Sequence, residues 1–202
     1  MSNILNIPVS YRIISSIVPK GASVLDLGCG SGELLQILNK QGSRGRGVEK
    51  DENSVIECIK KGLSVFQGNI EEGLKEYPDL SYDYVILNET LQSVYNTELL
   101  LKEVLRVGKK AVVGIPNFGH WRIRLFLGLT GRLPVTKAYG YEWYNTPNIR
   151  LTTMKDFREI CRKMDIKIVS EFPIAGRKEL GILKSFQANL FAEHALFVIE
   201  KK

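Results

Sequence analysis

The chain has 202 residues, of which 44% are hydrophobic and 25% are charged, and its formal net charge is +6. This composition is typical of a globular protein and excludes a disordered or collagen-like chain. No stretch reaches the roughly 18 apolar residues that a membrane-spanning helix needs, and the first twenty residues lack the pattern of a secretory signal. The basic residues are scattered along the chain, whereas a nucleic-acid patch clusters them with interleaved aromatic residues, so the sequence predicts neither membrane nor nucleic-acid binding.

The three cysteines, Cys29, Cys58 and Cys161, are odd in number and lack the spacing of a metal site. We expect them to be buried or half-buried thiols in a reducing compartment, which predicts a cytoplasmic location and no metal. The length fits one ordinary domain over residues 1–202, and no repeat or linker divides the chain.

Apolar runs alternate with amphipathic ones along the first 116 residues. Helical spacing of the apolar positions predicts helices over residues 9–18, 32–41, 53–62 and 97–108. Asn53 is a suitable N-cap for the third of these helices. Short apolar runs predict strands over residues 23–28, 45–50, 63–68, 82–88 and 110–116. This alternation is typical of βαβ units, in which helices cover a parallel sheet.

Residues 117–150 interrupt the alternation. They are rich in aromatic residues, glycine and arginine, and they exceed the usual connection of about 2–6 residues between elements. Connections of this length inside a compact domain are usually binding loops or lids. The sequence therefore predicts a long aromatic and arginine-rich loop insertion at 117–150.

The C-terminal quarter returns to regular structure. A helix is predicted over residues 152–164, with Thr153 and Asp156 in the positions of a capping box. The apolar runs 166–172 and 195–201 are joined by a long irregular segment, which predicts an antiparallel hairpin at the end of the chain. The predicted fold is therefore α/β, a doubly wound and mostly parallel seven-stranded sheet with a C-terminal antiparallel hairpin.

A glycine-rich turn follows the first predicted strand in the motif VLDLGCGSGELL, residues 24–35. Glycine tolerates positive φ and lets a ligand approach the bare backbone, and the glycines of this turn are Gly28, Gly30 and Gly32. Their G-x-G-x-G spacing differs from the G-x-G-x-x-G of NAD-type sites, which hold a diphosphate at a helix N-terminus. Carboxylates flank the turn at Asp26 and Glu33, and they suit a ligand with an ammonium group better than a diphosphate. The alternative to a ligand site is that the glycines only form a tight connection between strand and helix.

Polar residues also close the next three predicted strands, and the carboxyl ends of parallel strands line the ligand crevice of such sheets. Glu49 closes the second strand, where a carboxylate can accept from ribose hydroxyls at about 1.5–3 kcal/mol per bond; a solvated acid is the alternative. Asn69 closes the third strand and suits the edge of an adenine, although asparagine is also a common turn residue. Asn88 and Glu89 close the fourth strand.

The pattern D-x-G-x-G-x-G around the turn resembles the S-adenosylmethionine (SAM) sites of class I methyltransferases. Two longer stretches are more particular, PNFGHWRIRLFLGLTGRLPVTK (116–137) and YEWYNTPNIRLTTMKDF (141–157). Together with VLDLGCGSGELL and YDYVILNETLQSV, they resemble the methionine-biosynthesis MetW family over residues 10–200. This resemblance implies a SAM-dependent methyltransferase fold and a role in methionine biosynthesis, commonly beside a homoserine O-acyltransferase whose activity such proteins support.

The resemblance implies SAM as the cofactor and a set of binding positions at the strand ends. These positions are Asp26, Gly28, Cys29, Gly30, Gly32, Glu49, Lys50, Asn69, Ile70, Asn88 and Glu89. The family usually has a Ser-Gln pair where this chain has Asn88 and Glu89, and Glu89 adds a negative charge there. We therefore expect the polar contacts at this point to differ from the family pattern.

Two functions of different classes remain open. In the first, the protein transfers the methyl group of SAM to a small acceptor that the sequence does not define. In the second, the pocket senses SAM as the end product of the pathway, and residues 117–150 bind and tune a homoserine O-acyltransferase. The glycine spacing and the turn carboxylates disfavour an NAD-dependent oxidoreductase, and the lack of a basic cluster disfavours an RNA methyltransferase.

The remaining candidates are the two histidines, both in the C-terminal half, and the arginine and aromatic residues of 117–150. His120 follows the fifth strand on the acceptor side, where it is a candidate acid or base; a hydrogen-bonding role in packing the loop is the alternative. His194, which opens the last strand, is assigned a structural role. The arginines that could bind an anionic acceptor or an acidic partner are Arg122, Arg124 and Arg132. The aromatic cluster that suits a lid or a docking face consists of Tyr139, Tyr141, Trp143 and Tyr144.

Overall fold

The computed structural model describes residues 7–72, 74–136, 140–180 and 185–202. In these ranges the strands are β1 (Ser23–Leu27), β2 (Arg44–Glu49), β3 (Ser64–Gln67), β4 (Tyr82–Asn88), β5 (Gly108–Pro116), β6 (Ile166–Ala175), β7 (Lys178–Glu179) and β8 (His194–Lys201). The helices are α1 (Val9–Ile17), α2 (Glu33–Gln41), α3 (Glu52–Lys60), α4 (Thr97–Val107), α5 (Trp121–Thr130), α6 (Met154–Lys163) and α7 (Ser185–Phe191). Within the described ranges, no helix is long and apolar enough to cross a membrane.

The strands form one sheet in the order β3-β2-β1-β4-β5-β8-β6-β7. Strands β1 to β5 pair in parallel, whereas β8 lies antiparallel between β5 and β6. The strand order reverses between β1 and β4, which makes the carboxyl ends of these two strands the switch point of a doubly wound sheet. The predicted fold with its C-terminal antiparallel pair is confirmed, and the two-residue strand β7 adds an eighth strand at the edge.

Two apolar layers hold the helices against the sheet. On one face, α1 and α2 pack through Ile14 and Leu38 against strand residues such as Val24. On the other face, α4 and α6 cover the centre of the sheet, and the rings of Phe157 and Phe197 lie 4.6 Å apart between centroids. Both phenylalanines are almost fully buried, and each such burial is worth about 1.5–3 kcal/mol. These layers hold the strand ends in fixed relative positions.

The caps of two helices test the predicted helix starts. Asp51 stands at the N-cap of α3, where its Oδ2 accepts from the amide of Ser54 at 2.9 Å. Asn53 lies inside the first turn, so its prediction as the cap is wrong. Asp51, two residues after the end of β2, has the extended backbone that a cap requires. The capping box of α6 is confirmed, because Thr153 and Asp156 each accept from the other's backbone amide.

Two segments predicted as irregular contain helices. Helix α5 lies inside the insertion at 117–150, and α7 lies in the connection between β6 and β8. The α5 sequence, WRIRLFLGLT, is apolar on nearly every side, so it lacks the single apolar stripe that identifies an amphipathic helix. The rest of the insertion has neither helix nor strand in its described part, 117–120, 131–136 and 140–150. Of the predicted aromatic cluster, Tyr139 lies outside the described residues.

Candidate functional site

The turn between β1 and α2 is built on glycines in the left-handed region. The φ angle is +73° at Gly28, +51° at Gly30 and +76° at Gly32. A Cβ on Gly28 would lie 2.7 Å from the side chain of Thr90, and one on Gly32 would lie 2.7 Å from Sγ of Cys58. A Cβ on Gly30 would meet nothing within 4 Å. Gly30 is therefore at the open side of the turn, where a ligand can approach the backbone.

Glu49 ties the end of β2 to this turn. Its Oε2 accepts from the amide of Gly30 at 2.9 Å, and its Oε1 accepts from the amides of Lys50 and Asp51 at 2.8 and 2.9 Å. A carboxylate has about four acceptor sites, and these amides occupy three of them. One ligand hydroxyl can therefore bind the free site, and a second hydroxyl would have to compete with the Gly30 amide. Lys50 has an exposed side chain and enters this arrangement through its backbone.

Asp26 lies in β1 directly before the turn and is 3% exposed. Burial, and then the negative charge of Glu49, raise the pKa of the Asp26 carboxyl from 3.8 to about 7. A cation beside a buried carboxyl favours its charged form. The end of β1 next to the glycine turn therefore suits a positively charged ligand.

Tyr11 of α1 lies near the same carboxylates, and sequence reasoning missed it. Burial raises the pKa of Tyr11 to about 12, and the charges of Asp26, Glu33 and Glu89 raise it as well. The phenol thus lies among acidic groups from β1, α2 and the end of β4. In the sequence Tyr11 is one residue of an amphipathic helix, and only the packing of α1 on the sheet brings it here.

The end of β4 brings Glu89 together with the start of β8. Glu89 has a left-handed backbone, with φ at +59°, which costs a residue with a Cβ about 1–2 kcal/mol. Its Oε1 lies 3.0 Å from Nδ1 of His194, and this contact lowers the pKa of Glu89. His194 therefore lies at the ligand edge of the sheet, next to a predicted site residue.

The neighbouring Asn88 has a side-chain acceptor without a hydrogen-bond donor among the described residues. This atom, Oδ1, is buried. Buried acceptors in native proteins are nearly always paired, with protein, water or a ligand. An unmatched acceptor next to Glu89 fits a ligand group that donates hydrogen bonds, such as an ammonium.

Three other predicted positions lie at this edge and have local structural roles. Asn69 is exposed after β3, and its Oδ1 accepts from the amide of Glu71 at 3.1 Å, which closes its own turn. Ile70 begins a short 3-10 turn and packs against the core around α4. Cys29 is half-buried, and burial raises the pKa of its thiol, so it is a neutral packing group and not a nucleophile.

His120 serves as the N-cap of α5. Its Nδ1 accepts from the amide of Arg122 at 3.3 Å, its side chain is buried, and its ring lies 5.9 Å from that of Trp121. Burial lowers the pKa of His120, which keeps it neutral at neutral pH. These contacts match the loop-packing alternative and employ Nδ1 in the cap, not in acid–base chemistry.

Asn117 anchors the segment that leaves β5, and sequence reasoning missed it as well. Its side chain is fully buried, its Nδ2 donates to the carbonyls of Asn189 and Ala192, and its Oδ1 accepts from the amides of Gly119 and Met154. All four bonding positions of the amide are therefore used. The start of the insertion is thereby fixed to α6 and α7.

A family model described as "Methionine biosynthesis protein MetW" matches residues 9–199. The chain belongs to the MetW family. This MetW family member is 35% identical over 177 residues to the "Bifunctional methionine biosynthesis protein MetXA/MetW" of Rhodopirellula baltica. The match covers 83% of this chain but 28% of that relative, so the chain spans little more than a quarter of the relative's length.

Solved structures share the fold of this MetW family member. A SAM-dependent methyltransferase from Mesorhizobium loti has a TM-score of 0.72 and 12% identity, covering 98% of this chain and 100% of that one. Another from Methanosarcina mazei has a TM-score of 0.66 and 17% identity, covering 94% and 96%. At these identities the likeness shows the fold alone. It confirms the methyltransferase fold that the resemblance implied.

Proposed function

We propose that this MetW family member binds SAM at the glycine turn and uses it in methionine biosynthesis. The hydrogen bond from Gly30 to Glu49 carries the proposal, because it holds an acidic acceptor at the mouth of a turn that is open to a ligand. SAM combines a ribose, an ammonium group and a sulfonium cation. Glu49 would hold the ribose hydroxyls, Asp26 and Asn88 the ammonium, and Asn69 the adenine. When bound, SAM supplies an activated methyl group.

The charges of the crevice support SAM over a dinucleotide. Asp26, Glu33, Glu49 and Glu89 all contribute carboxylates near the turn, and these repel a diphosphate. Calorimetry of the purified protein with SAM, S-adenosylhomocysteine and NAD tests this proposal. We expect binding of SAM and S-adenosylhomocysteine and no heat with NAD. Preferential binding of NAD would overturn it.

We further propose that residues 117–150, here called the docking segment, bind a homoserine O-acyltransferase. In α5 only Ile123 is buried, while Leu125 is 53% and Leu129 77% exposed. Trp143 and Tyr144 are also exposed and meet edge to face. Apolar and aromatic groups exposed together are typical of protein interfaces.

The identity of the proposed partner is supported by the fused relative. The Rhodopirellula baltica protein carries both MetXA and MetW in its name and matches this chain over part of its length. Fusion of two activities in one chain is consistent with a physical association when they are separate. In this function the SAM pocket regulates the complex according to the supply of the pathway's end product.

Methyl transfer to a small acceptor is the second candidate function. The pair of Glu89 and His194 favours it, because a carboxylate and an imidazole at the ligand edge could take a proton from a hydroxyl or amine acceptor. Holding an acceptor in line with the methyl group can itself contribute about 7–11 kcal/mol. Such a reaction therefore demands few further groups from the protein.

Glu49→Ala separates the two functions. If the protein is a methyltransferase, the variant loses formation of S-adenosylhomocysteine from SAM in a lysate of the source organism. If the protein is a sensor, the variant still co-purifies with the acyltransferase, but the acyltransferase activity of the complex no longer responds to SAM. Release of a methylated product without any co-purified acyltransferase would contradict the docking function.

A further inference from the structure

The loop between β4 and α4, residues 89–96, contacts the cofactor site on one side and the docking segment on the other. It contains a short 3-10 turn, Leu91–Ser93, in which Gln92 is buried. Sequence reasoning assigned no role to Gln92. Its side chain bonds toward the cofactor site, and its backbone carbonyl bonds to the docking segment.

On the cofactor side, the Gln92 side chain holds Glu89. Nε2 of Gln92 donates to the carbonyl of Glu89 at 2.6 Å, and the Glu89 amide donates to the carbonyl of Gly114 at 3.0 Å. The next residue, Thr90, donates through Oγ1 to the carbonyl of Leu27 at 2.9 Å, directly before the glycine turn. A displacement of the glycine turn or of Glu89 would therefore displace Gln92 as well.

On the docking side, the Gln92 backbone holds an exposed stretch of the docking segment. The carbonyl of Gln92 accepts from the amides of Ile149 and Arg150, both at 3.0 Å. Nη2 of Arg150 also donates to the carbonyl of Tyr95, at 2.5 Å. Ile149 and Arg150 are exposed, so the protection of their amides from solvent depends on these bonds to the loop.

Two features show that the loop is not at a relaxed optimum. Glu89 has the left-handed backbone that disfavours a residue with a Cβ. Oε1 of Gln92 is buried and has no donor among the described residues, which is unfavourable for an acceptor removed from water. Strain of this kind collects in segments that adopt a second arrangement when a ligand binds.

We propose that Gln92 is a positioning residue that couples the cofactor pocket to the docking segment. A ligand in the pocket acts on Glu89 and Thr90, the Gln92 side chain follows Glu89, and its carbonyl alters the hold on Ile149 and Arg150. This inference rests on the proposed function, since it requires a ligand at the glycine turn. Because coupling is reciprocal, a partner on the docking segment changes the affinity of the pocket by the same factor.

Amide hydrogen exchange at Ile149 and Arg150, followed by NMR with and without saturating S-adenosylhomocysteine, tests the coupling. Coupled sites commonly change each other by roughly 5–150-fold, so we expect at least about a fivefold change in these two exchange rates. Gln92→Met removes the side-chain bond to Glu89 but keeps the backbone carbonyl. It should therefore show normal exchange without ligand and lose the response to the ligand.

The controls separate this inference from SAM binding itself. Gln187→Met, an exposed glutamine on α7, should respond as the unmodified protein does. If Gln92→Met does not fold, Arg150→Met, which loses the bond to Tyr95, should weaken the response instead. Calorimetric binding of S-adenosylhomocysteine without any change at Ile149 and Arg150 would overturn the coupling alone. A full response in Gln92→Met would also overturn it, and absence of binding would overturn the proposed function together with it.

Discussion

Glu49 is the residue on which the proposed SAM site depends most, and Glu49→Gln removes its charge with little change in size. Glutamine has one acceptor oxygen, so it can accept either from Gly30 or from Lys50 and Asp51, and it loses the charge-assisted bonds to ribose, each worth about 1.5–3 kcal/mol. We expect the Kd for SAM to rise by roughly 10–100-fold in calorimetry. Glu57→Gln, on the exposed side of α3, is the matched control and should bind normally. Unchanged affinity in Glu49→Gln would contradict the ribose role.

Asp26 makes the stability of the ligand-free protein depend on pH. Its carboxyl has a pKa of about 7 in the folded protein and 3.8 without the fold, so the unfolded chain releases this proton first as pH rises. The contribution of Asp26 to stability is therefore greatest below about pH 4, falls between about pH 4 and 7, and is constant above.

Asp26→Asn should remove this dependence. Because the buried charge is gone, we expect the free energy of unfolding at pH 8 to rise by roughly 2–4 kcal/mol, as measured by urea denaturation. The gain should shrink when the same measurement is made at pH 4. A variant less stable than the unmodified protein at pH 8 would show that the ionised carboxyl has stabilising partners.

Single residues differ in how far the sequence reveals their roles. Glu49, Asn69 and Asn88 were predictable as edge residues, because each closes an apolar run and parallel strands end at one edge. Tyr11 and His194 were not, because each reaches that edge only when a distant segment packs on the sheet. The binding roles of the predicted set remain predictions.

At the scale of elements, Asn117 joins the end of β5 to α6 and α7. Asn117→Ala leaves two carbonyls and two amides without their partner. We expect the free energy of unfolding to fall by roughly 2–4 kcal/mol, measured by urea denaturation. Asn145→Ala, at an exposed position of the docking segment, should change it by less than about 0.5 kcal/mol. Equal effects of the two variants would contradict the anchoring role of Asn117.

The elements of the sheet were largely predictable, and those of the insertion were not. Strand 82–88 coincides with β4, and the other buried strands differ from the prediction by a few residues at their ends. Buried parallel strands produce short apolar runs that turns interrupt, which is a strong signal. Helix α5 gives no such signal in the sequence, because its apolar residues are not confined to one face. The missing polar face is itself informative, since it leaves apolar side chains for a partner.

At the scale of the whole molecule, docking through α5 predicts a defined loss of binding. Leu125 and Leu129 lie one turn apart on α5 and are exposed, so Leu125→Lys with Leu129→Lys places charges in the interface without emptying the core. We expect co-purification of the acyltransferase to be abolished while SAM affinity measured by calorimetry is unchanged. Leu80→Lys, at an exposed position outside the docking segment, is the control. Undiminished co-purification of the double variant would contradict the proposed docking surface.

The whole chain thus combines a methyltransferase fold with an exposed apolar segment close to its ligand edge. The fold and the MetW family are established. Methyl transfer was the leading expectation from the sequence, and the exposure of α5 together with the capping role of His120 favours regulation of a partner. Both functions require the same adenosyl ligand at the same turn.

A crystal structure of the protein with S-adenosylhomocysteine tests that shared requirement most directly. We expect the nucleoside against the backbone of Gly30, with its ribose hydroxyls within hydrogen-bond distance of the Glu49 carboxylate. An empty crevice at saturating ligand, or a ribose bound away from Glu49, would contradict it.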